Sequence, residues 1–406
     1  CESPIMAPGL ARQFPRIKTY LGKGVDNPTA LVRLDYTPHG FHAMVLNGES
    51  TYFIDPYFHL VDEGTYLSYF KKDYESDEKF ECAVEEIYGE PVPGPSGENA
   101  LNAVGEELRN YRLAVSTTGE YAQYFGGTVE GAMAGIVTTM NRVNGVYERD
   151  ISVRMTLIDS NHQVIFLDPN EDPFSGSTVS KRNQNQSTLD QVIGSANYDV
   201  GHVFDRAGGG GVASLGTVCI TGEKGLGYTG LGSPEGDPFD IDYVAHELGH
   251  QFKGFHTFNY CDGSQGDLPF EPGSATTIMG YAGICGSSNI ADHSNDHFHV
   301  GNLNDMIPFT LLEEGNSCPE KIPTGNTPPL VEAGESGQVI PLSTPFELTA
   351  YATDLEGDSL TYAWEQYDLG PGTPVNQPVG NAPLFRSYAL TTDPTRVFPR
   401  ISSIVN

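Results

Sequence analysis

The sequence predicts a multidomain chain with a β-rich segment over residues 1–100, an α/β domain over 101–320 and an all-β domain over 326–406. Two stretches rich in proline and glycine, "YGEPVPGPSGENA" and "CPEKIPTGNTPPL", have the composition of exposed linkers and separate the three regions. A chain of 406 residues is long enough for two or three domains of this kind.

The net charge is strongly negative, −31, from 53 acidic and 22 basic residues. Such a surface repels a phosphate backbone, which excludes nucleic acid as a partner. No run of apolar residues approaches 18, so no transmembrane helix is predicted. An acid-rich surface suits a soluble protein in a salty or calcium-containing medium.

The two outer regions carry strand patterns. Residues 29–58 are rich in β-branched and aromatic residues, interrupted by turn signals such as "TPHG". Residues 346–368 predict two strands around an acidic turn, which favours an incomplete immunoglobulin-like sandwich. Carboxylates at alternate positions of this turn could bind Ca²⁺, although a solvated turn is the usual explanation of such a pattern. They are Asp354, Glu356 and Asp358.

The central region alternates between strands and helices, which predicts an α/β domain. Apolar residues at helical spacing predict a helix over 130–151, and a second helix is predicted over 187–198 with Ser187 as its N-cap. The predicted strands are 111–117, 152–158, 162–167 and 198–204.

The stretch "HELGHQFKGFH" brings together metal-ligand residues at a regular spacing. His246 and His250 lie four residues apart, so they share one helix face and can reach one ion. His256 can join them only if the chain turns sharply after about residue 252, and Gly254 can take the left-handed conformation that this needs. The alternative is a histidine-rich polar helix surface.

Three neutral imidazoles around a tetrahedral zinc leave one position open for water, whose pKa the metal lowers. Glu247 is adjacent and can take the proton of that water, so the resulting hydroxide can attack a polarised carbonyl. A structural zinc would have a fourth protein ligand and no need of this glutamate.

At these residues the sequence resembles the metzincin metallopeptidases, and most closely the reprolysin (adamalysin-like) branch with its bacterial secreted members. The resemblance implies that Met279, in "TTIMGYAGIC", forms the methionine turn beneath the zinc. Tyr281 is a candidate oxyanion donor or extra ligand, as in astacins and serralysins, or a packed side chain. "GGGGVASLGTVC" resembles the upper-rim strand, which would bind an extended peptide by strand addition. The rim residues are Gly211, Val212, Ala213 and Ser214.

One departure from the family pattern concerns the turn before His256. The family usually has glycine eight places into the motif, where this chain has Lys253. Either the turn shifts to Gly254, or Lys253 takes a left-handed conformation at a cost of roughly 1 to 2 kcal/mol.

Residues 1–100 resemble a propeptide, and "KFECAVEEIYGE" resembles its cysteine switch. Cys82 would fill the fourth zinc position and hold the uncut enzyme latent. Ala83 stands where the family has glycine, and a Cys1–Cys82 disulfide or a buried thiol is the alternative. Activation would need a cut between about 88 and 110, near Arg109.

Four further cysteines surround the histidine cluster, and none of the six forms a CxxC pair. In an extracellular protein this predicts disulfides, for which we favour Cys261–Cys285 and Cys219–Cys318, although the sequence leaves other pairings open.

These patterns together predict a secreted, monomeric zinc endopeptidase zymogen acting on protein or peptide substrates. A catalytically silent cell-surface adhesion or binding protein is the main alternative, and another zinc hydrolase, such as an amidase, is a second. A glycine-flanked rim strand favours a peptide substrate, and the presence of Glu247 favours an active site.

Overall fold

A computed structural model describes residues 1–48, 51–60, 63–75 and 103–405. The N-terminal region forms a short helix and a five-stranded antiparallel sheet in chain order, which confirms its predicted β-rich character. Its elements are α1 (Pro8–Gln13), β1 (Lys18–Lys23), β2 (Leu31–Thr37), β3 (Gly40–Leu46), β4 (Tyr52–Pro56) and β5 (Tyr66–Phe70).

The central region is a mixed α/β domain built on a six-stranded sheet. The first strand, β6, pairs in parallel with β7 and β8, and β10 continues the parallel part beside β8. β9 ends the sheet as the antiparallel neighbour of β10, while β11 pairs antiparallel with β6. The strands are β6 (Glu107–Thr117), β7 (Val153–Leu157), β8 (Val200–Asp205), β9 (Gly210–Ala213), β10 (Gly227–Gly230) and β11 (Glu320–Pro323).

Helices cover this sheet and lead to the histidine cluster. α3 is almost fully buried, and Thr128 caps it by accepting a hydrogen bond from the Gly131 N–H. A π-helix over Pro238–Ala245 runs directly into the helix that bears the first two histidines. The helices are α2 (Gly119–Tyr124), α3 (Val129–Ile151), α4 (Thr178–Val192), α5 (His246–Gln251) and α6 (Val300–Leu312).

Two local predictions in this domain are wrong. Helix α4 begins after Ser177, whose side chain accepts from the Ser180 N–H, and Ser187 lies inside the helix. Residues 162–167 form no continuous strand but a single parallel bridge from Ile165 to Thr117 of β6, and the side chain of Asn161 bonds both the N–H and the C=O of Val115, at 2.8 and 3.0 Å. That side chain thereby occupies the backbone groups that a further strand beside β6 would need.

The C-terminal region contains two small two-stranded sheets and a last short helix. Of the two strands predicted around the acidic turn, the second is reduced to a single bridge between Tyr362 and Thr391. The four strands in described residues 326–405 are fewer than the about seven of an immunoglobulin-like sandwich. The elements are β12 (Leu330–Glu332), β13 (Phe346–Thr349), β14 (Tyr351–Thr353), β15 (Thr395–Phe398) and α7 (Ile401–Val405).

Both predicted disulfides are confirmed. Cys219–Cys318 joins the segment after β9 to the segment before β11, and Cys261–Cys285 closes a loop after His256. Among the described residues, no helix is long and apolar enough to cross a membrane.

Candidate metal centre

The short helix α5 presents His246 and His250 one turn apart and then ends at Gln251. The chain reverses because Lys253 adopts a left-handed conformation, with φ of 72°. Gly254 keeps ordinary backbone angles, but a β-carbon there would lie 3.0 Å from the Gly249 carbonyl oxygen. Of the two alternatives for this turn, the strained lysine is therefore the one that the structure adopts, and Gly254 allows the close packing.

The reversal brings the three histidine side chains to one point. The Nε2 atom of His250 lies 3.1 Å from that of His246 and 3.1 Å from that of His256, and the remaining Nε2 pair is 3.3 Å apart. Nitrogens bound to a tetrahedral zinc at about 2.0–2.1 Å stand roughly 3.3 Å apart. The triangle therefore has the size that three imidazole ligands of one zinc require.

Backbone carbonyls orient two of the imidazoles. His246 Nδ1 donates to the Ile278 carbonyl and His250 Nδ1 to the Gly254 carbonyl, both at 2.8 Å. These bonds place the hydrogen on Nδ1 and the lone pair on Nε2, facing the centre of the cluster. Burial lowers the pKa of His246 to about 3 and that of His250 well below its usual value, so both rings are neutral ligands.

The third imidazole has a carboxylate beside it. His256 Nδ1 lies 3.7 Å from Asp267 Oδ2, which is half exposed. Asp267 was not singled out from the sequence, because its position depends on the path of the loop after His256 rather than on spacing along a helix. Carboxylates in this place commonly orient a histidine ligand.

The predicted methionine turn lies directly under helix α5. Met279 is fully buried, and its sulfur lies 2.5 Å from where a β-carbon on Gly249 would stand. The glycine of "HELGH" thus leaves room for the methionine side chain. Because the preceding residue, Ile278, supplies the carbonyl that holds His246, this turn also fixes the orientation of one ligand.

Glu247 lies between the histidine cluster and the predicted rim strand. Its side chain is buried, and its Oε1 is 2.1 Å from where a β-carbon on Gly211 would be. Gly211 belongs to β9, at the end of the sheet, together with Val212 and Ala213, and the next residue, Ser214, donates its N–H to the Leu226 carbonyl. The structure therefore brings the predicted base and the predicted rim strand into contact.

Tyr281 lies beside the cluster as part of an aromatic stack. Its ring is 4.3 Å from that of Phe258 and nearly parallel to it, and it stands 4.8 Å from the His256 ring in an edge-on arrangement. This position matches the interpretation of Tyr281 as a packed side chain. It also places the tyrosine next to His256.

Other predicted features are not brought to this centre. Cys82 lies outside the described residues. Arg109 is buried within β6, between β7 and β11, so it is not part of an exposed linker and the predicted cut near it is wrong. The acidic-turn carboxylates have separate partners and do not converge on one cation. Asp354 accepts from the Asp358 N–H, Glu356 from Thr327, and Asp358 pairs with Lys23.

A second cluster of potential ligands lies at the start of the π-helix and was not found from the sequence. It consists of Asp237, Asp242 and His293. The ammonium group of Lys71, from the N-terminal region, lies 3.0 Å from Asp237 and 2.7 Å from Asp296. The ammonium group of Lys71 therefore already contacts Asp237 of this cluster.

Comparison with known proteins identifies the domain that carries the cluster. Residues 108–307 match the model of the reprolysin-like metallopeptidases of family M12B. No curated protein matches the chain.

Two solved structures resemble this one at 14% sequence identity each. Metalloproteinase-II from Bacteroides fragilis has a TM-score of 0.36, with 72% of this chain and 82% of that chain covered. A chain described as part of a chaperone–substrate complex has a TM-score of 0.33, with 49% of this chain covered. The match spans only 34% of that second chain.

Proposed function

Since residues 108–307 form a reprolysin-like domain of metallopeptidase family M12B, we propose that the protein is a secreted zinc endopeptidase. The observation that carries the proposal is the triangle of Nε2 atoms, with separations of 3.1 to 3.3 Å, beside the buried Glu247. The two disulfides fit an oxidising, extracellular location.

In the proposed site, His246, His250 and His256 would hold a zinc ion. A zinc ion held there would polarise the substrate carbonyl and lower the pKa of a water molecule. Glu247 would accept a proton from a water molecule beside it and pass that proton to the leaving amine, so one carboxylate would act first as base and then as acid. We propose that the Tyr281 hydroxyl donates a hydrogen bond to the substrate carbonyl oxygen, because the Tyr281 ring lies beside that of His256.

The rim strand is proposed to bind the substrate backbone. Gly211 to Ser214 end the sheet, and β9 pairs with only one neighbour among the described strands. An extended peptide added to the other edge would run past Glu247, which contacts Gly211. Strand addition recognises the peptide backbone rather than particular side chains, so this geometry supports a protein or peptide substrate.

We further propose the division of the chain that the sequence indicates, with a propeptide at 1–100, the catalytic domain at 101–320 and a β domain of immunoglobulin type at 326–406. In the uncut chain, the thiolate of Cys82 would occupy the position that water needs. The proposed cut lies before residue 103, because Val104 packs against the core and β6 begins at Glu107.

The proposal is tested by zinc analysis together with casein hydrolysis, before and after limited proteolysis. We expect about one zinc per chain, little hydrolysis before cleavage, and hydrolysis after it that a chelator abolishes. A zinc-free protein, or hydrolysis that persists in the chelator, would contradict it.

A further inference from the structure

The N-terminal region and the catalytic domain share one hydrophobic core. Leu10, Met44 and Phe53, all fully buried, belong to the same cluster as Val137 and Val143 of helix α3. The backbone is shared as well, because the Leu157 N–H donates to the Ile5 carbonyl and the Ala7 N–H to the Leu157 carbonyl, both at 2.8 Å. Interfaces with a continuous apolar core resemble one domain cut in half and belong to permanent complexes.

Helix α3 packs closely against the N-terminal sheet. A β-carbon on Gly145 would lie 3.0 Å from Arg33 and 3.4 Å from Leu46, so the glycine allows β2 and β3 to approach the helix backbone. Arg33 is 2% exposed and pairs with Glu148 of α3 at 2.5 Å. Separation of the two parts would break this ion pair.

A second buried network reaches the segment that precedes the histidines. Arg142 of α3, fully buried, bonds Asp55 of β4 and Asp240 of the π-helix. Asp35 of β2 accepts from the Thr138 hydroxyl at 2.9 Å. These bonds connect β2, β4 and α3 to the π-helix, which runs directly into helix α5.

Lys71 is the third connection. Only 10% of its side chain is exposed, and its ammonium group contacts Asp237, Asp242 and Asp296 of the catalytic domain. Loss of the N-terminal region would remove Lys71 from Asp237 and Asp296, while His293 would still pair with Asp242. Breaking a buried ion pair by removing one partner is strongly unfavourable.

We infer that residues 1–75 stay bound to the catalytic domain after the chain is cut between residues 76 and 102, so that the cut protein is a stable two-chain complex. Only the consequence of this inference rests on the proposed zymogen. If the protein is a zymogen, cleavage of the chain and departure of the N-terminal region are separate events. The N-terminal region is then a component of the peptidase fold rather than a segment that leaves once it is cut.

The test uses the full-length Glu247→Gln protein, in which self-cleavage does not interfere, with a specific protease site inserted between residues 96 and 97. After complete cutting, we expect the two chains to elute together at a 1:1 ratio in gel filtration, in both 0.15 M and about 1 M NaCl, because apolar burial is not screened. Any separation of the chains under native conditions, as soluble fragments or as a precipitate of one of them, would overturn the inference. Neither result depends on peptidase activity, which is measured separately.

Two neighbouring lysines provide a matched pair of variants. Lys71 is buried among the carboxylates, whereas Lys72 is exposed and lies over the ring of Phe70. In the cut protein, Lys71→Met should lower the urea concentration at which the chains separate, and Lys72→Met should not change it. Equal behaviour of the two variants would show that the buried lysine does not hold the complex together.

Discussion

Glu247 lies directly against Gly211 of the rim strand, so close that a β-carbon on this glycine would stand 2.1 Å from the carboxylate oxygen. The glutamate that we propose as the base and the strand that we propose to bind substrate are therefore positioned by the same contact. Nothing in the local sequence around either residue indicates this, because they lie 36 positions apart and the contact depends on how β9 packs on α5.

The first prediction follows from this contact. Gly211→Ala should displace the Glu247 carboxylate while leaving the zinc ligands in place, and a shift of about 1 Å in a reacting group costs on the order of 100-fold in rate. We expect kcat/KM for a peptide to fall by about that factor, with unchanged zinc content. Gly208→Ala is the matched control, since no atom lies within 4 Å of its added β-carbon. Equal activity of the two variants would show that the contact does not position the base.

The second prediction concerns a buried acid that joins the C-terminal region to the catalytic domain. Glu365 is 6% exposed, bonds His297 at 3.0 Å and accepts from the Val300 N–H at 2.7 Å. Burial opposes its ionisation, but His299 and His297 outweigh this and lower the pKa of Glu365 to about 2. Burial likewise disfavours the charged form of His297, yet the Glu365 partner raises the pKa of this histidine above its usual value.

A carboxylate with a lowered folded-state pKa stabilises the protein above its unfolded pKa of about 4.3, and this stabilisation is lost as the pH falls toward 2. Glu365→Gln should therefore reduce the free energy of unfolding by about 3 kcal/mol at pH 6. The difference from wild type should shrink as the pH falls from about 4.3 toward 2. Urea unfolding at pH 6 and pH 2.5 measures it, and a difference independent of pH would contradict the assigned charge.

The third prediction compares the two disulfides. Cys219–Cys318 spans 99 residues and Cys261–Cys285 spans 24. In the chain-entropy account, the longer loop constrains the unfolded chain more, by about 1 kcal/mol. The double serine variant at 219 and 318 should therefore unfold at lower denaturant than the one at 261 and 285. The reverse order would indicate that local packing around the shorter loop outweighs chain entropy.

The fourth prediction tests latency. If the Cys82 thiolate occupies the open zinc position, uncut Cys82→Ala should hydrolyse casein, or cut itself during expression, while uncut wild type remains nearly inactive. Cys1→Ala is the control, because Cys1 is exposed and should leave the protein latent. Activity of the uncut wild type equal to that of Cys82→Ala, or a Cys1–Cys82 disulfide found by mass spectrometry, would rule out the switch.

The sequence predicts those parts of the metal centre that depend on local spacing. His246 and His250 share a face of any helix that contains them, and His256 needs only a reversal after residue 252. The long helix α3 and both disulfides were likewise found from periodicity and cysteine placement. The predicted start of helix α4, at Ser187, lies too far along the chain. The polar residues before Ser187 have no apolar periodicity to mark where the helix begins.

The sequence does not predict the contacts that depend on long-range packing. The Ile278 carbonyl that orients His246, and the pairing of Lys71 with Asp237 and Asp296, join residues that are far apart in the chain. The sequence does not decide whether Lys253 or Gly254 takes the left-handed conformation, since this depends on the path of the chain after α5, in which Lys253 has a φ of 72°.

The most direct test of the peptidase account is casein hydrolysis by wild type and Glu247→Gln, compared after limited proteolysis at equal zinc content. Glutamine cannot accept the proton of the water, while the three histidines remain unchanged, so the account predicts about one zinc per chain in both proteins and hydrolysis at least about 100-fold slower in the variant. Hydrolysis by the zinc-loaded variant at the rate of the wild type would contradict it.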